Sequence, residues 1–518
     1  MIGPSRRSAL ASLAALSAAS VARAAALPEL GTRLLKLGPA TPFTFDRLRL
    51  QARRLAAQPF SAPHAPPAEL AHAIDYDAFN RIVFRPAATL WGDAPGGVGV
   101  QFFPVGRPAP RPVAMNVVDQ GRARPILYSA DLFTSPAESA LAALGQGAGF
   151  GGFRVMNDDR RTDWLSFLGA SYFRSSDPFN QYGLSARAIA IDTATSGPEE
   201  FPAFVAFWIE APKGGAPPAI CALLDGPSLV GAWRFVHSRP GAGLVQEVTA
   251  ELHFRRTPAR LGLAPLTSMY WYGESDRAPP DDWRPQIHDS DGLAIWTGAG
   301  ERIWRPLANP GRVRVNAFFD RGPRGFGLMQ RDRSFADYED DGVRYDRRPS
   351  VWVEPIGDWG AGSVQLVEIP TSGEADDNIV AFWSPARPPA QGESLALAYR
   401  LHWCDEEPTP PGVARAVATR FGRGGRPGQP VPPGRRKYVV DFAGQSLAGL
   451  ARADGVEPVV TLGQGAAIDP VAYPVAGSLL WRLMFDIEPT PGRTLDLRAY
   501  LRRGAAALTE TWIDQLDA

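Results

Sequence analysis

Short runs in which apolar and polar residues take turns dominate the chain. In Val245–Phe254, the residues Val248, Ala250, Leu252 and Phe254 share one face, with Glu247, Thr249, Glu251 and His253 on the other. A period of two with one wet face predicts a half-buried antiparallel strand. Arg312–Phe318 has the same form, with Val313, Val315 and Ala317 predicted to face inward and Arg312, Arg314 and Asn316 outward. Further β-rich runs are Val98–Phe103, Phe204–Ile209, Trp233–His237, Gly362–Glu368, Ile379–Trp383 and Leu395–Trp403, punctuated by Gly, Pro, Asp and Asn. Helical spacing is scarce. A short helix is predicted at Asp77–Ile82, and a better one over Ser135–Leu144, where Ser135 and Glu138 have capping-box spacing and Pro136 suits the first turn. Strand signals spread evenly over so long a stretch predict an all-β fold built on one large antiparallel sandwich.

Composition adds boundaries. The 518 residues include 52 Gly and 50 Pro, about a fifth of the chain against about 12% on average, which suits short strands and many turns. The Pro-rich run Glu406–Gly412 marks the end of a large domain over 27–403. In 404–518 the linker is followed by Arg415–Arg436, whose Arg, Gly and Pro predict a flexible loop. Strands at Lys437–Phe442, Val459–Leu462, Ser478–Ile487 and Thr494–Arg502 then predict a small immunoglobulin-like sandwich. Residues 1–26 read as an export signal: Arg6 and Arg7 precede an Ala-rich stretch, Ala22-Arg23-Ala24 suits cleavage, and the arginine pair is twin-arginine-like. No other segment is apolar for long enough to span a membrane, so a soluble periplasmic protein is expected.

Charge and metal-ligating residues narrow the chemistry. Basic and acidic residues number 54 each, which excludes an overall basic footprint for nucleic acid. Cys221 and Cys404 can pair only if the fold brings them together, and the six His are scattered. No metal site and no cofactor are expected. By contrast, six of the fourteen Trp lie between Tyr270 and Gly360, Trp271 and Trp352 among them, interleaved with Tyr, Asp, Glu and Arg. Aromatic rings stack on the apolar face of a sugar while charged groups bond its hydroxyls, so this mixture points to a carbohydrate cleft. Glycoside hydrolysis would need two carboxyl groups there, one protonated and one ionised. The conspicuous acids are Asp289 and Asp291 in His288–Gly292, and Glu374, Asp376 and Asp377 before Asn378. Composition and spacing do not choose among them.

Seven runs in order along the chain carry a family resemblance: Tyr76–Ile82, Phe167–Arg174, Tyr182–Arg187, Leu266–Met269, Ile287–Leu293, Gly325–Arg333 and Arg348–Pro355. With them the chain resembles the periplasmic glucan biosynthesis proteins OpgG and OpgD, and its twin-arginine-like signal is more similar to the OpgD branch. The resemblance implies a mutarotase-like β-sandwich followed by an immunoglobulin-like domain. It also implies a role in making osmoregulated periplasmic glucans with a β-1,2-linked glucose backbone, and for OpgD-like members an inverting endo-β-1,2-glucanase. Carried over by position, Asp377 is the general acid and Asp289 the general base. Tyr345, Arg348 and Glu374 fall where the family lines its cleft and supports proton transfer, and 415–436 falls at a flap. The partner expected is β-1,2-glucan, with a homodimer among the expected assemblies. Competing expectations are a non-hydrolytic glucan carrier, a transglycosylase and an aldose mutarotase.

Overall fold

The structure, a computed structural model, describes residues 34–517 except 63–65, 67, 95, 97, 137–140, 142–147, 215, 242, 276–281, 427 and 431–432. The export signal expected over 1–26 and most of the helix expected at 135–144 lie outside the described residues. Two large, mainly antiparallel sheets pack face to face. The first runs in the order Arg314–Arg321, Ala361–Glu368, Ile379–Pro385, Leu261–Ser268, Ser185–Arg187, Tyr172–Ser175, Asp163–Leu168, Phe150–Met156 and Val100–Pro104. The second passes through Ala114–Asp119, Ala203–Glu210, Ile220–Asp225, Leu229–Ser238, Leu244–Phe254, Ser394–Cys404, Ser350–Pro355, Gly325–Met329, Gly292–Trp296 and Arg302–Pro306. Between them lies one continuous core that includes Trp164, Trp233, Trp383, Trp403 and a cluster of stacked and edge-on Phe rings. The fold is an all-β sandwich, as the alternation predicts.

Leu244–Phe254 behaves as its pattern dictates: Val248, Ala250 and Leu252 are buried, Glu247 and Thr249 are exposed, and the strand is paired along both edges. The other alternating run needs correcting. Arg314–Arg321 is the edge strand of the first sheet, and Val313 and Ala317 are exposed. Val315 packs partly against Val367, Val380 and Phe382 as expected, but the polar side is engaged too, because Arg314 reaches Asp517 at 2.8 Å and Asn316 donates to Gln515 at 3.1 Å on the C-terminal strand. A helix absent from the sequence reading, Phe45–Ala56, covers the outer face of the second sheet. Thr44 caps it by accepting from Arg47 N–H at 3.2 Å, and Leu48 and Ala52 are its buried residues. The short helix near Asp77 spans Tyr76–Asn80 and is capped by Asp75.

Beyond Trp403 the chain forms a second, smaller pair of sheets. Arg415–Arg423, Arg436–Ala443, Trp481–Ile487 and Ile468–Pro474 make one, and Glu457–Leu462, Thr494–Arg503 and Thr511–Asp517 make the other. Arg415–Arg423 is therefore a strand paired with Arg436–Ala443, not part of a flexible loop. Backbone hydrogen bonding tolerates its arginines because their side chains project to solvent or to acids, as Arg420 does to Asp441 at 2.9 Å. Thr511–Asp517 also pairs in parallel with Arg302–Pro306, and Trp304, Met329 and Trp352 share a core with Tyr438, Phe485 and Trp512. Cys221 and Cys404 are both free thiols.

Candidate active site

Two segments far apart in sequence hang from one short strap. Asp289 N–H donates to Met269 O at 2.9 Å, and Ser268 Oγ lies 2.9 Å from Ser290 Oγ. The next residue of the strap faces the other way. Tyr270 N–H donates to Asn378 Oδ1 at 2.8 Å, and Asn378 Nδ2 donates to Tyr270 O and Ile369 O, each at 2.9 Å. The Asn378 amide thus imitates a strand neighbour just before Ile379 enters the first sheet opposite Ser268. Successive backbone groups of an extended chain point to opposite sides. Met269–Tyr270 therefore fixes the Asp289 segment on one side and the Asp377–Asn378 turn on the other.

The two carboxyl groups interact. Asp377 is open to solvent, yet protein surrounds it on enough sides that burial is the main cause of a pKa raised to about 6. The charge of Asp289 pushes in the same direction, while Arg174 and Arg187 oppose it. Asp289 is buried and its carboxyl is also raised, first by burial, with Arg348 and Arg174 pulling it back. Arg348 Nε stands 3.1 Å from Asp289 Oδ1 without the alignment of a hydrogen bond, so this contact is one of charge. Arg174 influences both acids, a role no sequence motif announces. Arg187 is buried beneath the rings of Tyr172 and Phe201, at 5.4 and 5.7 Å, and is tied to Glu199 at 2.7 Å.

The remaining expected residues divide. Tyr345 is buried and donates its hydroxyl to Glu374 at 2.5 Å, and Arg348 lies over its ring at 5.1 Å. Tyr345, Arg348 and Glu374 therefore join Asp289 and Asp377 in one electrostatic group. Trp271 is half-buried against Tyr272, beside the cluster that contains Tyr345. Asp291 points elsewhere: it accepts from Arg331 and Asp332 N–H at 2.8 and 3.0 Å, near Glu274 and the strand at Thr419. Trp352 is a core residue, packed with Trp304 and Met329 and closely approached by Gly325. Its flat ring and neighbouring charges look the same in sequence as those of a cleft residue, but it lies on the face of its strand opposite Val351 and Val353, where the C-terminal strands cover it. His288 is buried between Gln286 and Gln330 and held neutral, its pKa lowered to about 4 by burial. Among the described residues no set of His, Cys, Asp and Glu is grouped to hold a metal, and no helix is long and apolar enough to cross a membrane.

Comparison with known proteins agrees with the sequence motifs. The chain is 47% identical over 524 aligned positions to glucans biosynthesis protein D 2 of Ralstonia nicotianae, covering 98% of this chain and 97% of that one. It is 44% identical to glucans biosynthesis protein D of Stenotrophomonas maltophilia and to that of Xanthomonas oryzae pv. oryzae, in each case over 98% of this chain and 96% of the relative. A solved polysaccharide lyase is similar over 71% of this chain and 44% of its own, with 9% identity and a TM-score of 0.23, too loose a likeness to carry an argument. The profile described as "Periplasmic glucan biosynthesis protein, MdoG" matches residues 43–516. The chain belongs to the MdoG family of periplasmic glucan biosynthesis proteins.

Proposed function

We propose that this protein is a periplasmic endo-β-1,2-glucanase that cuts the glucan backbone with inversion. The observation that carries the proposal is the unequal pair of acids on the Met269–Tyr270 strap. Asp377 has a pKa raised to about 6 and no ion-pair partner among the described residues, whereas Asp289 faces the Arg348 guanidinium at 3.1 Å. A carboxyl that keeps its proton suits the general acid, and one beside a fixed cation suits the base. In this reading Asp377 donates its proton to the glycosidic oxygen, and Asp289 accepts one from the attacking water. The Tyr345 hydroxyl and Arg348 orient the groups around Asp289.

Incubation with linear β-1,2-glucan, followed by product sizing and anomeric analysis by NMR, tests this directly. Short products released first in the α configuration support inversion. Asp377→Asn should abolish cleavage while binding of the glucan persists, and a cleaving variant would refute the assignment. The same pair of acids, with Trp271 and Tyr345 in the neighbouring cluster, also suits a carrier or transferase. Binding without cleavage would favour the carrier, and lengthened or rearranged chains the transferase.

A further inference from the structure

We infer that Arg284, which touches neither acid, is the positioning residue that sets the geometry of the Tyr345–Glu374 pair. The inference rests on the hydrolytic reading and deepens it. Arg284 is the meeting point of three loops. Its guanidinium donates to Asp282 at 2.8 Å, to Asp340 at 3.1 Å and to Glu374 at 2.8 Å. The second nitrogen also reaches the other Glu374 oxygen at 3.3 Å, so the contact is forked. The Arg284 side chain is only 12% exposed, and those of Asp282 and Asp340 are 12% and 11% exposed, while Glu374 at 39% opens toward solvent. The buried end of the network therefore fixes the end that faces solvent.

Two of these bonds, both from Nη1, act on Tyr345 in different ways. Through Glu374 Oε2 it holds the oxygen that accepts the Tyr345 hydroxyl. Through Asp340 it supports the turn leading into Tyr345, because the other Asp340 oxygen accepts from Gly342 and Val343 N–H at 3.0 and 2.9 Å. That turn ends at Arg344, a non-glycine residue with φ of 57°, a conformation that costs about 1 kcal/mol or more and persists only when neighbours enforce it. Arg344 is enforced by two bonds to Asp346, at 2.9 and 2.8 Å. Tyr345 is thus pinned at its backbone through Asp340 and at its hydroxyl through Glu374, both held by Arg284 Nη1. Only a planar fork meets three carboxylates this way; a lysine supplies the charge without the fixed directions.

The test is a double-mutant cycle on linear β-1,2-glucan, with Arg284→Met, Glu374→Gln, the double variant and Arg284→Lys, each with its thermal unfolding curve. A displacement of about 1 Å in a catalytic array costs on the order of 10²-fold in rate. Arg284→Met should lower kcat by about that factor with KM changed less than about threefold, and Arg284→Lys should restore part of it. In the Glu374→Gln background, Arg284→Met should add little further loss, because both remove one interaction. Independent, multiplying losses would overturn the inference, as would a kcat that falls only in proportion to the folded fraction. If Arg284→Met does not fold, Arg284→Lys decides: a wild-type kcat in that variant overturns the inference. A wild-type protein that leaves the glucan uncut overturns the hydrolytic reading and this inference together, whereas a cleaving wild type with an unaffected Arg284→Met overturns the inference alone.

Discussion

The pH profile of kcat/KM offers a quantitative check on the acid pair, and Arg174→Met perturbs it in a defined direction. A general acid must carry its proton, so activity falls as the pH rises through the pKa of that acid in the free enzyme. With Asp377 at about 6 instead of 3.8, the alkaline limb should lie near pH 6. About one tenth of the molecules would then hold the proton at pH 7 and about one hundredth at pH 8. An ordinary aspartate would put the limb about two units lower. Arg174 favours the ionised form of both Asp377 and Asp289. Removing one unit charge at a separation on the order of 10 Å, with an effective dielectric near ~20, withdraws roughly 1.7 kcal/mol, or about one pKa unit.

Both limbs of the profile in Arg174→Met should therefore move upward, the alkaline one from near 6 toward about 7. Relative activity at pH 8, scaled to the maximum of each variant, should rise by up to about tenfold. Initial rates of reducing-end release, measured across pH 4–9 at substrate well below KM, give the profile. Scaling matters because Arg174 can also touch the sugar, which changes the height of the curve but not its position. The limbs belong to the interacting pair, so they are read together. A wild-type limb near pH 4, or one that stays in place or moves downward in Arg174→Met, would refute the electrostatic reasoning.

Glu274, its carboxyl raised to about 8 chiefly by burial, resists ionisation in the fold. Its stabilising effect is full below the unfolded value near 4.5 and is lost as the pH climbs through 8. Glu274→Gln keeps the acceptor for Thr419 N–H, so it should raise stability by about 2 kcal/mol at pH 8.5 and leave it unchanged at pH 4, a figure discounted because 27% of the side chain reaches solvent; thermal denaturation at the two pH values measures it. Asn378→Ala strips partners from Tyr270 N–H, Tyr270 O and Ile369 O. It should cost about 2–4 kcal/mol by urea unfolding, with a kcat loss in the folded protein, and an unaltered kcat would contradict the strap. Trp352→Ala should cost about 3–5 kcal/mol without weakening glucan binding below its unfolding temperature. Trp271→Ala should do the reverse, as calorimetric titration would show.

The sandwich was legible where burial on one face left its mark. One face of Leu244–Phe254 lies on the core, so apolar residues recur at every second position except Gln246, which accepts from Trp403 Nε1 at 2.6 Å. Arg314–Arg321 shows where that logic stops, because an edge strand can dock through its polar face, here Arg314 and Asn316 against the C-terminal strand. Phe45–Ala56 was hidden because it buries so little, chiefly Leu48 and Ala52, and its surface is rich in arginine. Arg415–Arg423 was hidden for a related reason: strand pairing uses backbone groups, which composition does not record. Among site residues, Trp271 and Trp352 share a composition but not an orientation. Arg174, Arg187 and Asn378 lay inside or beside the motifs, yet their roles depend on charges and hydrogen bonds from distant segments.

The asymmetry of the two aspartates follows from how burial and charge are divided between them. Burial raises both, so burial alone would leave two protonated carboxyls and no base. Arg174 acts on each and cannot distinguish them. The difference comes from the second cation. Arg348 stands 3.1 Å from Asp289, whereas Arg187, which opposes the shift of Asp377, is committed to Glu199 and wedged under Tyr172 and Phe201. A cation already neutralised by its own acid exerts a weaker field on a third group. Arg348 is therefore the leading force that favours the ionised form of Asp289 against its burial, and negative charge there favours the proton on Asp377. On this argument Arg348→Met should erode the distinction between acid and base, merging the two limbs of the pH profile and collapsing activity at every pH. A variant with a wild-type profile would show that Asp289 owes its ionisation to something other than Arg348.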